Sequence, residues 1–166
     1  MALKPGRDPN ITEISYFCYS TAERGGIVCG VPSGSLPAGT LAGFGESMDS
    51  PGQRVEYAAN ASGKIPLGML ATDVVNIDQA TQILNPFKSQ VQIGNKVTVY
   101  VKGWAVTNYI NPGTLAGVTL PAPAYVGLNG YLYAGATYSS ASGYPRCGTF
   151  LSYPDTDGYT KVRIDM

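Results

Sequence analysis

Lys96-Val-Thr-Val-Tyr-Val-Lys102 decides the fold class. Val97, Val99 and Val101 recur at every second position, so an extended strand puts all three on one face, whereas a helix would scatter them around its axis. β-branched and aromatic side chains suit a pleated, half-buried surface. Gly94-Asn95 just upstream is turn chemistry, and Gln90-Val-Gln-Ile93 before it alternates as a second short strand. Downstream, Trp104-Ala-Val-Thr107 extends the strand past Gly103, a position suited to a bulge or a close backbone contact.

The same texture runs outward in both directions. Ile14-Ser-Tyr-Phe-Cys-Tyr19 and Ile27-Val-Cys-Gly-Val31 are apolar runs on either side of the turn Thr21-Ala-Glu-Arg-Gly-Gly26, and they are expected to pair. Arg54-Val-Glu-Tyr-Ala-Ala59 and Pro66-Leu-Gly-Met-Leu70 continue the strand pattern, with a further short strand expected at Leu41 to Phe44 inside a Pro- and Gly-rich stretch. Ala124 to Leu128, Tyr131 to Ala134 and Thr149 to Ser152 follow, separated by Leu128-Asn-Gly130 and Ser139 to Pro145. Tyr159-Thr-Lys-Val-Arg-Ile164 alternates to the end. Helical spacing competes only between Asp73 and Leu84, where Val74, Ile77, Ala80, Ile83 and Leu84 precede Pro86. The expectation is an all-β protein: a single compact barrel or sandwich of short antiparallel strands over residues 14–166, preceded by an extended N-terminal arm at residues 1–13. Pro5, Gly6 and Pro9 exclude a regular helix from that arm.

Composition limits what such a protein does. The chain is 44% hydrophobic and 13% charged, with 11 basic and 11 acidic residues, so it can bury a core while presenting no net field to a nucleic acid or an anionic membrane. No segment approaches the roughly 20 apolar residues of a spanning helix. Histidine is absent, which removes the commonest general base and the commonest metal ligand and excludes Ser-His-Asp and Cys-His mechanisms. Cys18, Cys29 and Cys147 lack metal-ligand spacing and read as small buried hydrophobes rather than a disulfide or a reactive thiol. Asp155-Thr-Asp157-Gly158 has the first half of a calcium loop without its distal bidentate acid, and reads as a tight turn with Gly158 at positive φ. No catalytic, cofactor or metal residue is expected, and the chain reads as one that works through its surfaces.

Two surfaces stand out. Residues 108 to 124 form a long connection in which Leu115, Val118 and Leu120 have no periodic element to bury them, so a neighbouring subunit is expected to cover them. Tyr131, Tyr133, Tyr138 and Tyr144 lie among glycines and serines and would either cap the core with hydroxyls in solvent or form one platform for sugar rings.

A polar, proline-containing start is followed by Gly26-Ile-Val-Cys-Gly30, then by Ile65-Pro-Leu-Gly-Met-Leu70 leading to Asn85-Pro-Phe-Lys88. Gln92-Ile-Gly-Asn-Lys-Val-Thr-Val99 and a closing Gly148 to Ile164 complete the series. In order and texture these segments resemble the decoration, or cement, proteins of tailed-bacteriophage capsids. The resemblance implies a β-rich protein, made in the host cytoplasm, that sits on the capsid exterior, commonly as a homotrimer, and clamps copies of the major capsid protein. Leu3, Pro5, Arg7, Pro9 and Ile11 of the arm, with Leu115, Val118 and Leu120, are the expected partner-binding residues. A carbohydrate- or receptor-binding module of a virion fibre or tail is the alternative, and a purely structural crystallin-like domain the reserve.

Overall fold

The computed structural model describes residues 12–18, 20–30, 54–75, 90–135 and 138–166. The protein is all-β: a curled, mainly antiparallel half-barrel sheet with no α-helix among the described residues. The eleven strands in that set are β1 (Thr12–Cys18), β2 (Ile27–Gly30), β3 (Arg54–Glu56), β4 (Pro66–Leu70), β5 (Asp73–Val75), β6 (Gln90–Gln92), β7 (Lys96–Thr107), β8 (Ala122–Val126), β9 (Leu132–Tyr133), β10 (Arg146–Phe150) and β11 (Thr160–Asp165). Nine join in the order β1-β3-β2-β4-β7-β11-β10-β8-β9. β1 also pairs with β7, so β1, β3, β2, β4 and β7 close on themselves in a ring, and β11, β10, β8 and β9 extend from β7.

β7 holds the two parts together because it is 12 residues long. Its first half pairs with β1 and β4, and its second half, from Lys102 to Thr107, pairs with β11. The register slips by one residue where Thr12 faces Lys102 and Glu13 faces Tyr100, and Gly103 beside the slip has φ 126. This bulge exchanges the faces: Val97 and Val99 enter one core while Tyr100 and Ala105 enter the other.

β2 and β4 form the wall between the two cores. Ile27, Cys29 and Met69 point into the half-barrel with Val126, Leu132, Phe150, Val162 and Ile164. Their neighbours Val28 and Leu70 point into the ring with Cys18, Val55, Val97 and Val99. Strands buried on both faces lose the polar alternation of half-exposed strands, which is why β2 reads as a continuous apolar run. Gly68 and Gly148 let backbone segments come close: a Cβ on Gly68 would strike Val99 and the Tyr100 carbonyl, and one on Gly148 would fall on the Arg163 carbonyl oxygen.

Several local expectations need correction. β1 pairs with β3 and β7, and β2 with β3 and β4, so the anticipated β1–β2 pairing does not form. β1–β3 and β5–β6 are parallel, against the expectation of antiparallel strands throughout. Thr12 and Glu13, assigned to the arm by the sequence, belong to β1, and the rest of the expected arm, residues 1–11, lies outside the described residues. The competing helix fails at its start, because Asp73–Val75 is a strand paired with Gln90–Gln92. Residues 76–89 and the expected strand at Leu41 to Phe44 lie outside the described residues.

Candidate functional site

Tyr57, Tyr109 and Tyr131 form one wall of a cleft of about 750 Å³ between the ring and the β8–β9 turn. The Gly26 N–H donates to Tyr57 Oη at 3.1 Å, and that hydroxyl donates to the Glu23 carbonyl. Thr107, buried on the last position of β7, donates to the Gly25 carbonyl at 3.0 Å and accepts the Tyr109 N–H at 2.9 Å. The chain leaving β7 is thereby tied to the β1–β2 loop, and Tyr109 is set beside Tyr57 with ring centroids 5.5 Å apart. Tyr131 stacks on Tyr109 at 4.2 Å and 21°. Asn129 (φ 50) and Gly130 (φ 76) supply the two positive φ values of the turn that presents Tyr131.

Thr21, Glu23, Asp73 and Gln90 also line the cleft, with Ala22, Val74 and Val75, and Asp73 Oδ1 accepts the Arg24 N–H at 2.8 Å. Burial, with the neighbouring Tyr131 and Glu23, pushes the Tyr109 hydroxyl up to about 12, and burial raises that of Tyr57 as well. Both remain neutral phenols at physiological pH. The wall therefore offers aromatic faces and hydrogen bonds, not a phenolate base.

Tyr133 is not part of this wall. It is buried, stacks on Tyr138 at 3.8 Å, and Tyr138 meets Tyr144 at 4.7 Å and 52°. Tyr131, Tyr133, Tyr138 and Tyr144 therefore do not form the one platform weighed against core-capping, but divide between two ladders. Tyr131 joins Tyr109 and Tyr57 instead, because it precedes β9 and escapes the alternation that directs Tyr133 inward.

The 108–124 connection also differs from expectation. Residues 112–117 fold into successive turns, closed by Thr114 N–H to the Asn111 carbonyl at 3.1 Å and Ala116 N–H to the Gly113 carbonyl at 3.0 Å. Thr114 Oγ1 donates to the Ala134 carbonyl and accepts the Ala134 N–H. Leu115 is 3% exposed in the half-barrel core, and Val118 and Leu120 pack against that core. Its own chain therefore buries Leu115, against the expectation that a neighbour is required to do so, while Val118 and Leu120 stay partly exposed. A mostly apolar cleft of about 570 Å³ opens beside these turns, where Tyr153 donates to the Val118 carbonyl at 2.9 Å. Leu3, Pro5, Arg7, Pro9 and Ile11 lie outside the described residues.

Cys18, Cys29 and Cys147 are free and buried, as their isolation in the sequence suggests. Burial pushes Cys29 up to about 11 and raises Cys147 further, so neither is a nucleophile at neutral pH. Asp155 Oδ1 accepts the N–H groups of Asp157 and Tyr159, and Gly158 has φ 80, the tight turn expected there. Among the described residues no group of three metal-ligating side chains comes together.

Sequence reasoning passed over the outer face of β7 and β11. Thr160, Val162 and Ile164 point inward, leaving Lys161, Arg163 and Asp165 on the other face. Register places Arg163 directly opposite Trp104 and Asp165 opposite Lys102, with Lys161 Nζ 4.3 Å above the Trp104 ring. The alternation of β11 was the available signal, but the bulge in β7 hid which of its residues share that face. In comparisons with known proteins, no family model and no curated protein matches the chain.

Proposed function

We propose that the protein is a structural, non-catalytic component of a phage virion that binds the capsid exterior and stabilises contacts between major capsid proteins as a homotrimer. One observation carries the reading. Of the segments resembling capsid decoration proteins, those among the described residues contribute to β2, β4, β7, β11 and β10, which are consecutive neighbours in the sheet, while the proline-containing start and Asn85–Lys88 lie outside the described residues. The strands these described segments contribute to lie side by side in one piece of sheet, which is what supports the reading. A wall buried on both sides suits a module that must hold its shape under load.

The test is cosedimentation with undecorated shells of the virus that encodes the chain, followed by heating of the decorated and bare shells. Binding with raised heat resistance is the expected result, and light scattering should give the mass of three chains. Removal of residues 1–11, which stops short of β1, should weaken shell binding with little change in melting temperature if the arm adds a strand to a capsid protein. Absence of shell binding by the full chain would overturn the reading.

The tyrosine-walled cleft favours a second reading, a carbohydrate- or receptor-binding module of a fibre or tail. Aromatic faces lining one cleft with amide and carboxylate groups suit the apolar face and hydroxyls of a sugar ring. In that case Tyr131→Ala should abolish glycan binding while Tyr133→Ala, altered in the other ladder, should retain it if folded.

A further inference from the structure

We infer that the outer face of β7, β11 and β10 is a docking surface for an acidic protein surface, with Trp104 at its centre; this rests on the capsid-binding reading and names the face that makes the contact. Among the described side chains, Lys102, Arg146, Lys161 and Arg163 stand on this face with one carboxylate, Asp165. Four of the eight basic residues in the described set are gathered here with one of its seven acidic ones. The local excess is three positive charges on a chain whose formal net charge is zero.

Asymmetry of this kind is not required by the fold. The inward partners Val162 and Ile164 hold β11 in place, and the outward positions tolerate either sign, so solubility alone would be served by alternating charges. The four cations also form one connected surface. Arg163 stands opposite Trp104 on one side and Thr149 on the other, and Arg146 reaches Thr149 Oγ1 at 3.2 Å. Arg163 is 60% exposed, and Asp165, its ion-pair partner at 3.0 Å, is 50% exposed. A pair so open to water holds its partner weakly and leaves guanidinium donors for an incoming carboxylate.

Trp104 supplies the apolar part. It is half-buried, with its ring under the Lys161 ammonium. Tryptophan and arginine are the side chains that most often dominate binding energy at protein interfaces. The charges set approach and orientation, which makes the association salt-dependent. Duplex DNA is the poorer partner, because the acids Asp155 and Asp157 occupy the turn that joins β10 to β11 at the edge of this face, and a long polyanion would run against them.

The experiment compares the full chain with Lys161→Glu/Arg163→Glu for cosedimentation with undecorated shells and for retention on immobilised polyglutamate, at low and high salt. Lys64→Gln, which alters a cation in the connection between β3 and β4 that pairs with Glu56, is the control. Loss of about tenfold or more in shell affinity by the double variant, with salt sensitivity reduced and the control unchanged, is the expected result. Should the double variant misfold, Lys161→Gln/Arg163→Gln replaces it, with a smaller loss of the same sign. Equal shell binding by folded variant and parent overturns the docking face and leaves the capsid reading standing. A parent that ignores shells but is held by polyglutamate through these residues overturns the capsid reading and keeps the acidic partner. Retention on neither overturns both. Binding of duplex DNA as tightly as shells, or self-association lost in the variant, overturns the choice of another protein as occupant.

Discussion

Met69 and Leu70 are adjacent on β4, and their side chains lie in different cores, Met69 in the half-barrel and Leu70 in the ring. Both are fully buried, so the two cores meet across one strand's thickness of backbone. Met69→Ala and Leu70→Ala should each cost about 2–5 kcal/mol, a large part of the stability of an ordinary domain. Chemical denaturation should show a single cooperative transition for the parent and for both variants, because a wall common to two cores cannot be lost from one alone. A two-step transition in either variant would show that the ring and half-barrel unfold separately.

Gly148→Ala should lower stability by about 1–3 kcal/mol, since the added methyl meets a backbone carbonyl that no rotamer change can move. Gly113, at φ 79 with open space around it, tests a different cost: Gly113→Ala strains the backbone without a clash. Thermal melting of the two variants separates the effects, and an unchanged Gly148→Ala protein would show that β10 and β11 can part at this point.

Thr114 ties the 111–118 turns to the end of β9 through both polar groups of Ala134. Thr114→Val keeps the shape and removes the hydroxyl, leaving a buried amide and carbonyl unpaired at about 1–3 kcal/mol. Amide exchange should accelerate at Ala134 and Ala116 before it does in β11. Uniform exchange would mean that the turns stand without this anchor.

Stability should decline in alkali. The Cys29 thiol has an ordinary value of 9.0 and is held near 11 in the fold, chiefly by burial; Tyr109 moves from 10.0 to about 12. Below pH 9 both groups are protonated whether folded or not, and their effect is fully present. Between 9 and 12 the unfolded chain releases protons that the folded chain retains, so stability falls as pH rises through that window. Melting temperatures measured from neutral pH upward should drop there, and Cys29→Ala should show a shallower drop from pH 9 to 11. A flat profile for the parent would contradict the burial of these groups.

The valine alternation of β7 and the Thr160–Ile164 alternation of β11 were enough, by themselves, to establish an all-β chain, because period-two burial follows from the pleat and needs no partner to be recognised. The Asp155–Gly158 turn and the burial of three isolated cysteines were legible for the same local reason. Strand partners were not: β1 and β2 are close in sequence, yet β1 joins β3 and β7, since pairing depends on which faces can be covered together. The fate of Leu115, Val118 and Leu120 was hidden because consecutive turns have no period, although a core was waiting to receive them. Tyr57, Tyr109 and Tyr131, spread over 74 positions, meet only because Thr107 and Gly26 tie the end of β7 to the β1–β2 loop. Trp104 came to share a face with Lys161 and Arg163 through one bulged residue in β7. Local periodicity determines what each segment can become, while the joint burial of two cores across β2, β4 and β7 decides which side chains end up together at the surface.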